Sequence, residues 1–550
     1  MSRLIPTQQK LRGGYYTPVK ISNFLTSWAI QSKDNKVLEP SCGDGIFLES
    51  AYFRLKDLGA SNKKALSNIH AVELDKVEYQ KTKNRMKEIV NGDIDSLEIK
   101  NDDFFSVFLK GLKNEKFDSI VGNPPFIRYQ NFDEDIRKRA LDIMKEAGID
   151  ASKLTNIWMP FLVSSSLMLT KYGRLAMIIP AELLQVKYAA KLRLFLSEFY
   201  SSIIIITFKK LVFQDIQQEV VLFLGEKING THGINIIELD DESQLENCLQ
   251  KLDKKPELKP INHTTDKWIQ YYLSNEEIAL IQKLRNDIRL TSFGELADVN
   301  VGVVTGRNEF FVVNEETMQK HSLSSSMLPI VSRTVQIQGL IFSNSDWEKN
   351  RKENHNCYLF YPPTKKFDSL NKGTQSYIKE GEKMEFNTGY KCRIRNPWYI
   401  VPTIWPPDAF LYRQINGNPK LILNKTDATV TDTIHRVKFK GKTDGASLIT
   451  CFHNSLTFAF SEIFGRSYGG GVLELEPNEA EELPIPYLKC KKEIMHKIDE
   501  LIRKKEPMEK ILDITDKILL KDYLNLSNTE IRTLRNIWKK LSLRRMNRKF

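Results

Sequence analysis

The 550-residue chain has only six cysteines, at positions 42, 248, 357, 392, 451 and 490, and none forms a Cys-x-x-Cys pair. That scatter argues against a zinc site and against a disulfide framework, and fits a reducing, cytoplasmic compartment. No N-terminal stretch has the apolar core of a secretory signal, and no apolar run reaches membrane-spanning length. The longest apolar candidates, Ile203–Ile206 and Val220–Leu224, are strand-sized. Internal repeats and low-complexity tracts are absent. No lysine-bearing phosphate loop occurs, and no Pro-Cys dipeptide offers a cysteine nucleophile.

What is present is a soluble globular composition, 41% apolar and 27% charged, on a chain long enough for two or three domains. The net charge is +12, but it is unevenly spread. Residues 1–240 hold 33 basic residues against 29 acidic, and residues 241–530 balance at 40 against 40. Residues 531–550 hold eight basic residues and no acid. This tail suits either phosphate contacts or a solvated helix end.

Residues 1–225 alternate strand-like and helix-like patterns. Lys36–Glu39, Asn68–Leu74, Phe117–Val121, Arg174–Ile179, Ile203–Phe208 and Val220–Leu224 read as strands, with Tyr172-Gly173 as a turn and Ala181–Tyr200 as a helix. Such alternation predicts an α/β fold with a parallel sheet covered on both faces, whose ligands bind at the carboxyl ends of the strands. Glu39, Glu73 and Asn123 all fall at strand ends. Residues 1–240 are thus expected to form a catalytic domain, 241–270 a polar linker region, and 271–550 a mixed α/β domain ending in helices.

Two turns carry the chemistry. The first is Glu39-Pro-Ser-Cys-Gly-Asp-Gly45, which follows a strand. Gly43 and Gly45 permit a tight turn and close approach to a ligand. The third glycine of a dinucleotide fingerprint is missing, since position 48 is Leu. Glu39 and Asp44 make the turn acidic, which repels pyrophosphate and suits the ammonium and sulfonium of S-adenosylmethionine. Glu73 can accept from ribose hydroxyls; Asp103 can accept from an adenine amino group and Phe104 can cover the ring. The second turn, 84 residues after Glu39, is Asn123-Pro124-Pro125-Phe126. An aromatic-ring amine is a poor nucleophile because its lone pair is delocalised. The Asn123 side-chain oxygen and Pro124 carbonyl can accept its two hydrogens, the prolines hold the turn rigid, and Phe126 can stack on the base. No metal is required.

This ordered set resembles the γ-type, TaqI-like N6-adenine DNA methyltransferases of restriction-modification systems, over most of residues 10–225. Gly13-Gly-Tyr-Tyr-Thr-Pro18 resembles the family's opening cofactor motif, in which Thr17 would contact the methionine carboxylate. Glu39, Pro40, Ser41, Gly43, Asp44 and Gly45 resemble its glycine-bearing motif. Phe161 takes the place of a second aromatic against the cofactor adenine, and Phe213 that of an aromatic packed on the extruded target base. Phe126 stands where Tyr is commoner. Residues 271–550 are more loosely similar to the target-recognition region, at Val301-Gly-Val-Val-Thr-Gly-Arg-Asn308, Asn396-Pro-Trp-Tyr399 and 469–486.

The resemblance implies a Rossmann-like methyltransferase fold, S-adenosylmethionine as cofactor, and double-stranded DNA as substrate with the target base flipped out. It also implies a monomer and a cognate restriction endonuclease acting on the same site without a stable complex. Cytosine-N4 methylation uses the same amine chemistry; Asn before Pro-Pro favours adenine. Ribosomal RNA or release-factor methylation fits the Asn-Pro-Pro motif but not so long an appended half. A fused nuclease would need a metal-binding Asp…Glu-x-Lys set, for which Asp253 with Glu257-Leu-Lys259 is too compressed.

Overall fold

The computed structural model describes all residues except 1–15, 128–132, 151–154, 211–218, 228–231, 253–256, 262–266, 468–469 and 548–550. The chain divides into two compact units, one spanning Met1–Asn275 and the other Glu276–Met546.

The first unit is built on a nine-stranded sheet. Its strands are β1 (Val37–Glu39), β2 (Ile69–Glu73), β3 (Glu98–Asn101), β4 (Phe117–Gly122), β5 (Leu169–Pro180), β6 (Ser202–Phe208), β7 (Val220–Glu226), β8 (Gly233–Leu239) and β9 (Lys259–Pro260). The spatial order is β3-β2-β1-β4-β5-β7-β6-β8-β9. β1 to β5 run parallel, as the alternation of strands and helices implies. The sheet is nevertheless mixed: β7 lies antiparallel between β5 and β6, and β9 is antiparallel to β8. β4 and β6 are almost wholly buried apolar runs, as strands covered on both faces must be. β4 stops at Gly122 because Pro124 and Pro125 have no N–H to continue a ladder.

Three local readings change. Tyr172-Gly173 lies inside β5, because pairing with β7 begins at Arg174 while Leu169 already pairs with Phe117 of β4; the irregularity is a register shift between Phe117 and Ser119. The expected helix Ala181–Tyr200 is broken at Val186, which is extended, leaving helices Glu182–Gln185 and Ala190–Phe199. Residues 241–270, expected as a linker region, carry helix Leu245–Leu252 and β9 and belong to the first unit. That helix buries Leu245, Cys248 and Leu252 in the unit's core.

Helix α1 (Val19–Ala29) is tied down from three sides. Ser22 meets Ser50 of helix α2 (Ile46–Asp57), with 2.9 Å between hydroxyls. Ser119 Oγ donates to the Ala29 carbonyl at 2.8 Å, and Arg174 donates to the Trp28 carbonyl at 2.9 Å while lying over the indole. These contacts fix Thr17 and Pro18, which precede the helix. Helix α3 (Lys76–Val90) follows β2 and is N-capped by Asp75. Helix α4 (Phe104–Lys110) follows β3 and is N-capped by Asp103.

The second unit contains a five-stranded sheet in the order Ala297–Val301, Ile434–Phe439, Ala409–Tyr412, Leu421–Asn424, Ile341–Phe342. A four-stranded sheet has the order Val312–Val313, Tyr358–Phe360, Met327–Val331, Thr429–Val430. The chain ends in helices, as expected from the sequence: Lys492–Arg503, Met508–Asp516 and Asn528–Met546.

Among the described residues of the basic tail, four cations are engaged with acids. Arg535 pairs with Asp513 and Asp516, each at 2.8 Å. Lys539 pairs with Glu509 at 2.6 Å and Lys540 with Glu277 at 2.9 Å. Arg545 is buried: it forks onto Glu462, at 2.9 and 2.8 Å, and donates to the Ile415 and Gly471 carbonyls. Replacing one partner strands a buried charge, so Arg545→Met is expected to cost about 3–5 kcal/mol, read as a lowered denaturation midpoint.

Candidate active site

Because β1, β2, β3 and β4 are parallel neighbours, their carboxyl ends share one edge of the sheet. Glu39, Glu73, Asp103 and Asn123 stand at or just beyond those ends.

The turn after β1 is held by its neighbours. Cys42 N–H donates to the Val72 carbonyl at 3.0 Å, and Gly45 N–H closes the turn on the Cys42 carbonyl at 2.8 Å. Thr82 of α3 donates its hydroxyl to the Gly43 carbonyl at 2.6 Å. Gly45 has φ +86, and a Cβ there would lie 2.9 Å from Thr82 Cγ2, so only glycine fits. Gly43 also has a left-handed φ, +53.

The acids of this edge have unequal surroundings. Glu39 is 3% exposed, and its Oε2 has no hydrogen-bond partner. Burial, then Asp44 and then Glu73, push its carboxyl well above the usual carboxylate range. Glu73 accepts from Gly43 N–H at 2.8 Å and from Asp75 N–H at 2.7 Å, so the carboxylate braces the glycine turn. Burial raises the Glu73 pKa against those two bonds. Burial with Glu39 and Glu73 nearby pushes the Cys42 thiol well up, which keeps it from acting as a nucleophile. Ser41 Oγ is also buried without a partner, whereas Asp44 pairs with Arg85 at 3.0 Å.

Asp103 spends its oxygens on the α4 cap, accepting from Phe105 and Ser106 N–H groups, and pairs with Arg139 at 3.1 Å. Phe104 and Phe161 come together, stacked with centroids 4.9 Å apart and planes at 11°. That spacing leaves no room for a third ring between them, so a purine could meet the pair only from outside the stack.

Asn123 joins the two ends of the motif order. Its amide Nδ2 donates to Thr17 Oγ1 at 3.2 Å, across 106 residues of sequence. Gly122, just before it, lies against Glu39: a Cβ there would be 3.5 Å from Glu39 Cγ. Pro124 is buried, Pro125 and Phe126 are half-buried, and the Phe126 ring packs against the unit's core. Thr17 and Asn123 therefore meet, beside Gly122 packed against Glu39 and Pro40. Phe213 lies outside the described residues, as do Gly13, Gly14 and Tyr15.

The sequence reading missed the cations of this edge. Arg85 stands three residues after Thr82 on α3, on the same helix face, and that spacing was the available signal. Arg139 is brought to Asp103 by helix Glu134–Glu146, and nothing local foretells it.

Comparison with known proteins accords with this geometry. Residues 29–213 match the Eco57I restriction-modification methylase model, and residues 265–520 match the model of the Type II methyltransferase M.Eco57I C-terminal domain. The Type II methyltransferase M.AccI of Acinetobacter calcoaceticus is 26% identical over 481 residues, covering 84% of this chain and 83% of the relative. M.XamI of Xanthomonas campestris pv. amaranthicola is 23% identical over 502 residues, covering 86% and 85%. The solved structure of the Type IIL restriction-modification enzyme MmeI in complex with DNA aligns with TM-score 0.61 at 12% identity, over 95% of this chain and 75% of that one, a likeness of fold. The chain thus matches an Eco57I-type methylase domain over residues 29–213 and an M.Eco57I-type C-terminal domain over residues 265–520, a pairing that supports a γ-class restriction-modification methyltransferase.

Proposed function

We propose that the protein transfers the methyl group of S-adenosylmethionine to the N6 amino group of an adenine flipped out of duplex DNA. The observation that carries the reading is that Asn123 is bonded to Thr17 at the sheet edge where Gly122 packs against Glu39, a buried carboxyl whose Oε2 has no hydrogen-bond partner. A cationic cofactor fits such a carboxylate. Glu39 Oε2 and Ser41 Oγ are the groups best placed to hold its methionine end, and Gly43 and Gly45 let the backbone come close. Glu73, already on two backbone N–H groups, retains lone pairs for a ribose hydroxyl. When bound, the cofactor supplies an electrophilic methyl group.

The chain's own residues then act on the amine. Asn123 Nδ2 is committed to Thr17, so the amide's oxygen faces the other way and can accept an N–H hydrogen from the base. The Pro124 carbonyl accepts the second. Two fixed acceptors favour the nitrogen that gains positive charge over the planar one. Phe126, and Phe213 by resemblance, would cover the extruded ring and offset lost stacking. The first unit thus carries transfer and the second reads the target. A cognate endonuclease would cut the same unmethylated site without a stable complex with this monomer.

Thr17→Val should release the Asn123 amide and lower kcat about tenfold, with Thr17→Ser near wild type. A rise in the cofactor KM with kcat unchanged would instead make Thr17 a ligand of the methionine carboxylate alone. The defining experiment is mass spectrometry of nucleosides from plasmid DNA incubated with the protein and labelled S-adenosylmethionine. Labelled N6-methyladenine is expected. Labelled N4-methylcytosine would change the base, and unlabelled DNA would overturn the reading.

A further inference from the structure

Two separate stretches of the second unit meet to form one surface. Strand Ala297–Val301 leaves the sheet through Gly302, where a Cβ would stand 2.0 Å from the Thr431 carbonyl oxygen. At Gly306, φ is +86, and a Cβ would lie 2.7 Å from Lys391 Cβ. The loop is thereby pressed onto helix Tyr390–Arg393. Arg395 staples it there by donating to the Val304 and Thr305 carbonyls, at 2.6 and 2.7 Å. Beyond the loop, Phe310 and Phe311 anchor it in an aromatic cluster, with Phe310 stacked on Tyr377 at 4.7 Å. The loop is rigidly mounted through backbone carbonyls and close backbone packing, and the side chains of Val304 and Arg307 remain exposed.

Those outer residues have a distinct character. Arg307, Lys391 and Arg393 are exposed, and among the described residues none of them forms an ion pair. Arg307 lies over Gly389, whose Cβ position is 3.2 Å from Arg307 Nε. The same two stretches carry exposed apolar groups: Val304, 39% exposed, Ile394, 60%, and Tyr390, 65%. Residues 301–308 and 389–407 contain no acid. Other arginines of the unit are spent internally: Arg413 on Glu476, Arg466 on Glu479, Arg503 on Asp346 and Asp499.

We propose that the surface built by residues 304–308 and 389–396 is the element that reads base edges of the target duplex. Unpaired guanidinium groups match guanine acceptors and phosphates, and apolar groups beside them match thymine methyls. A rigid mount holds such groups at constant spacing, which sequence reading requires and bulk attraction to phosphate does not. The assignment rests on the DNA-methyltransferase reading above.

Plasmid carrying a randomised insert is methylated by wild type, Arg307→Ala, Arg393→Ala and Tyr390→Ala, with Lys372→Ala as a control elsewhere on the surface. Methylated bases are then located by sequencing. Wild type and the control should share one consensus. At least one arginine variant should lose about tenfold or more of the discrimination at a single position of that consensus. Identical consensus sequences in all variants would overturn the proposal. A variant that leaves no mark is judged by its binding to the wild-type site against a scrambled duplex: lost preference supports the proposal and retained preference overturns it. Absence of any methylated base with wild type would instead overturn the methyltransferase reading.

Discussion

Asn123→Ala is expected to lower methyl transfer by about 10²–10³-fold in kcat while cofactor affinity stays within a few-fold of wild type. The side chain is the fixed acceptor for an amine whose nitrogen must leave planarity. Its loss removes an interaction that strengthens only as charge grows there, so kcat falls and KM does not. Truncation also frees the Thr17 hydroxyl, but Thr17 stays pinned by α1, so the fold should hold. Single-turnover kinetics with equilibrium binding of the cofactor separates the two effects. Undiminished turnover would remove the proposed mechanism.

The second large effect belongs to Glu39. Its pKa is raised by burial, by Asp44 and by Glu73, so without a cation beside it the ionised form is disfavoured. The stability this carboxyl contributes is fully present below the unfolded pKa of about 4.3 and is lost as pH rises through the higher folded value. Glu39→Gln removes that loss. The ligand-free variant should melt above wild type at pH 8, and the gap should close as pH falls toward 4. The same change should weaken S-adenosylmethionine binding by about 10- to 100-fold, because a charge-assisted contact becomes a neutral one. Wild-type affinity should rise with pH through the Glu39 transition, and the variant's should lack that component. Equal melting temperatures together with equal affinity would show that Glu39 does not face the cofactor.

Much of this site is legible in the sequence because it lies where strands end. Apolar runs bounded by polar turns place β1, β2, β4, β6 and β7 within a residue or two, and a parallel arrangement then brings Glu39, Glu73 and Asn123 to one edge without further information. What periodicity fixes is which face of a strand is buried; it does not fix which strand lies beside it. The antiparallel insertion of β7 between β5 and β6 was invisible for that reason. The polar stretch 241–270 read as a linker because three apolar residues, Leu245, Cys248 and Leu252, suffice to dock its helix. The ion pairs Arg85–Asp44 and Arg139–Asp103 join residues far apart in the chain, and composition is silent about them. In the second unit Arg466 is held by Glu479 and Arg395 by backbone carbonyls, while Arg307, Arg333 and Arg393 are exposed, a difference that residue type alone does not reveal.

The ion pairs along the C-terminal helix bear on how ionic strength acts on this protein. Affinity for a polyanion falls with salt in proportion to the number of counterions set free, one for each phosphate met by an unengaged cation. Arg545 is shut away with Glu462, and Arg535 is held between Asp513 and Asp516, so neither can release an ion from DNA without first abandoning its carboxylate. A logarithmic plot of DNA affinity against salt concentration should therefore be shallower than the formal charge of +12 implies, and Arg535→Gln should leave its slope unchanged.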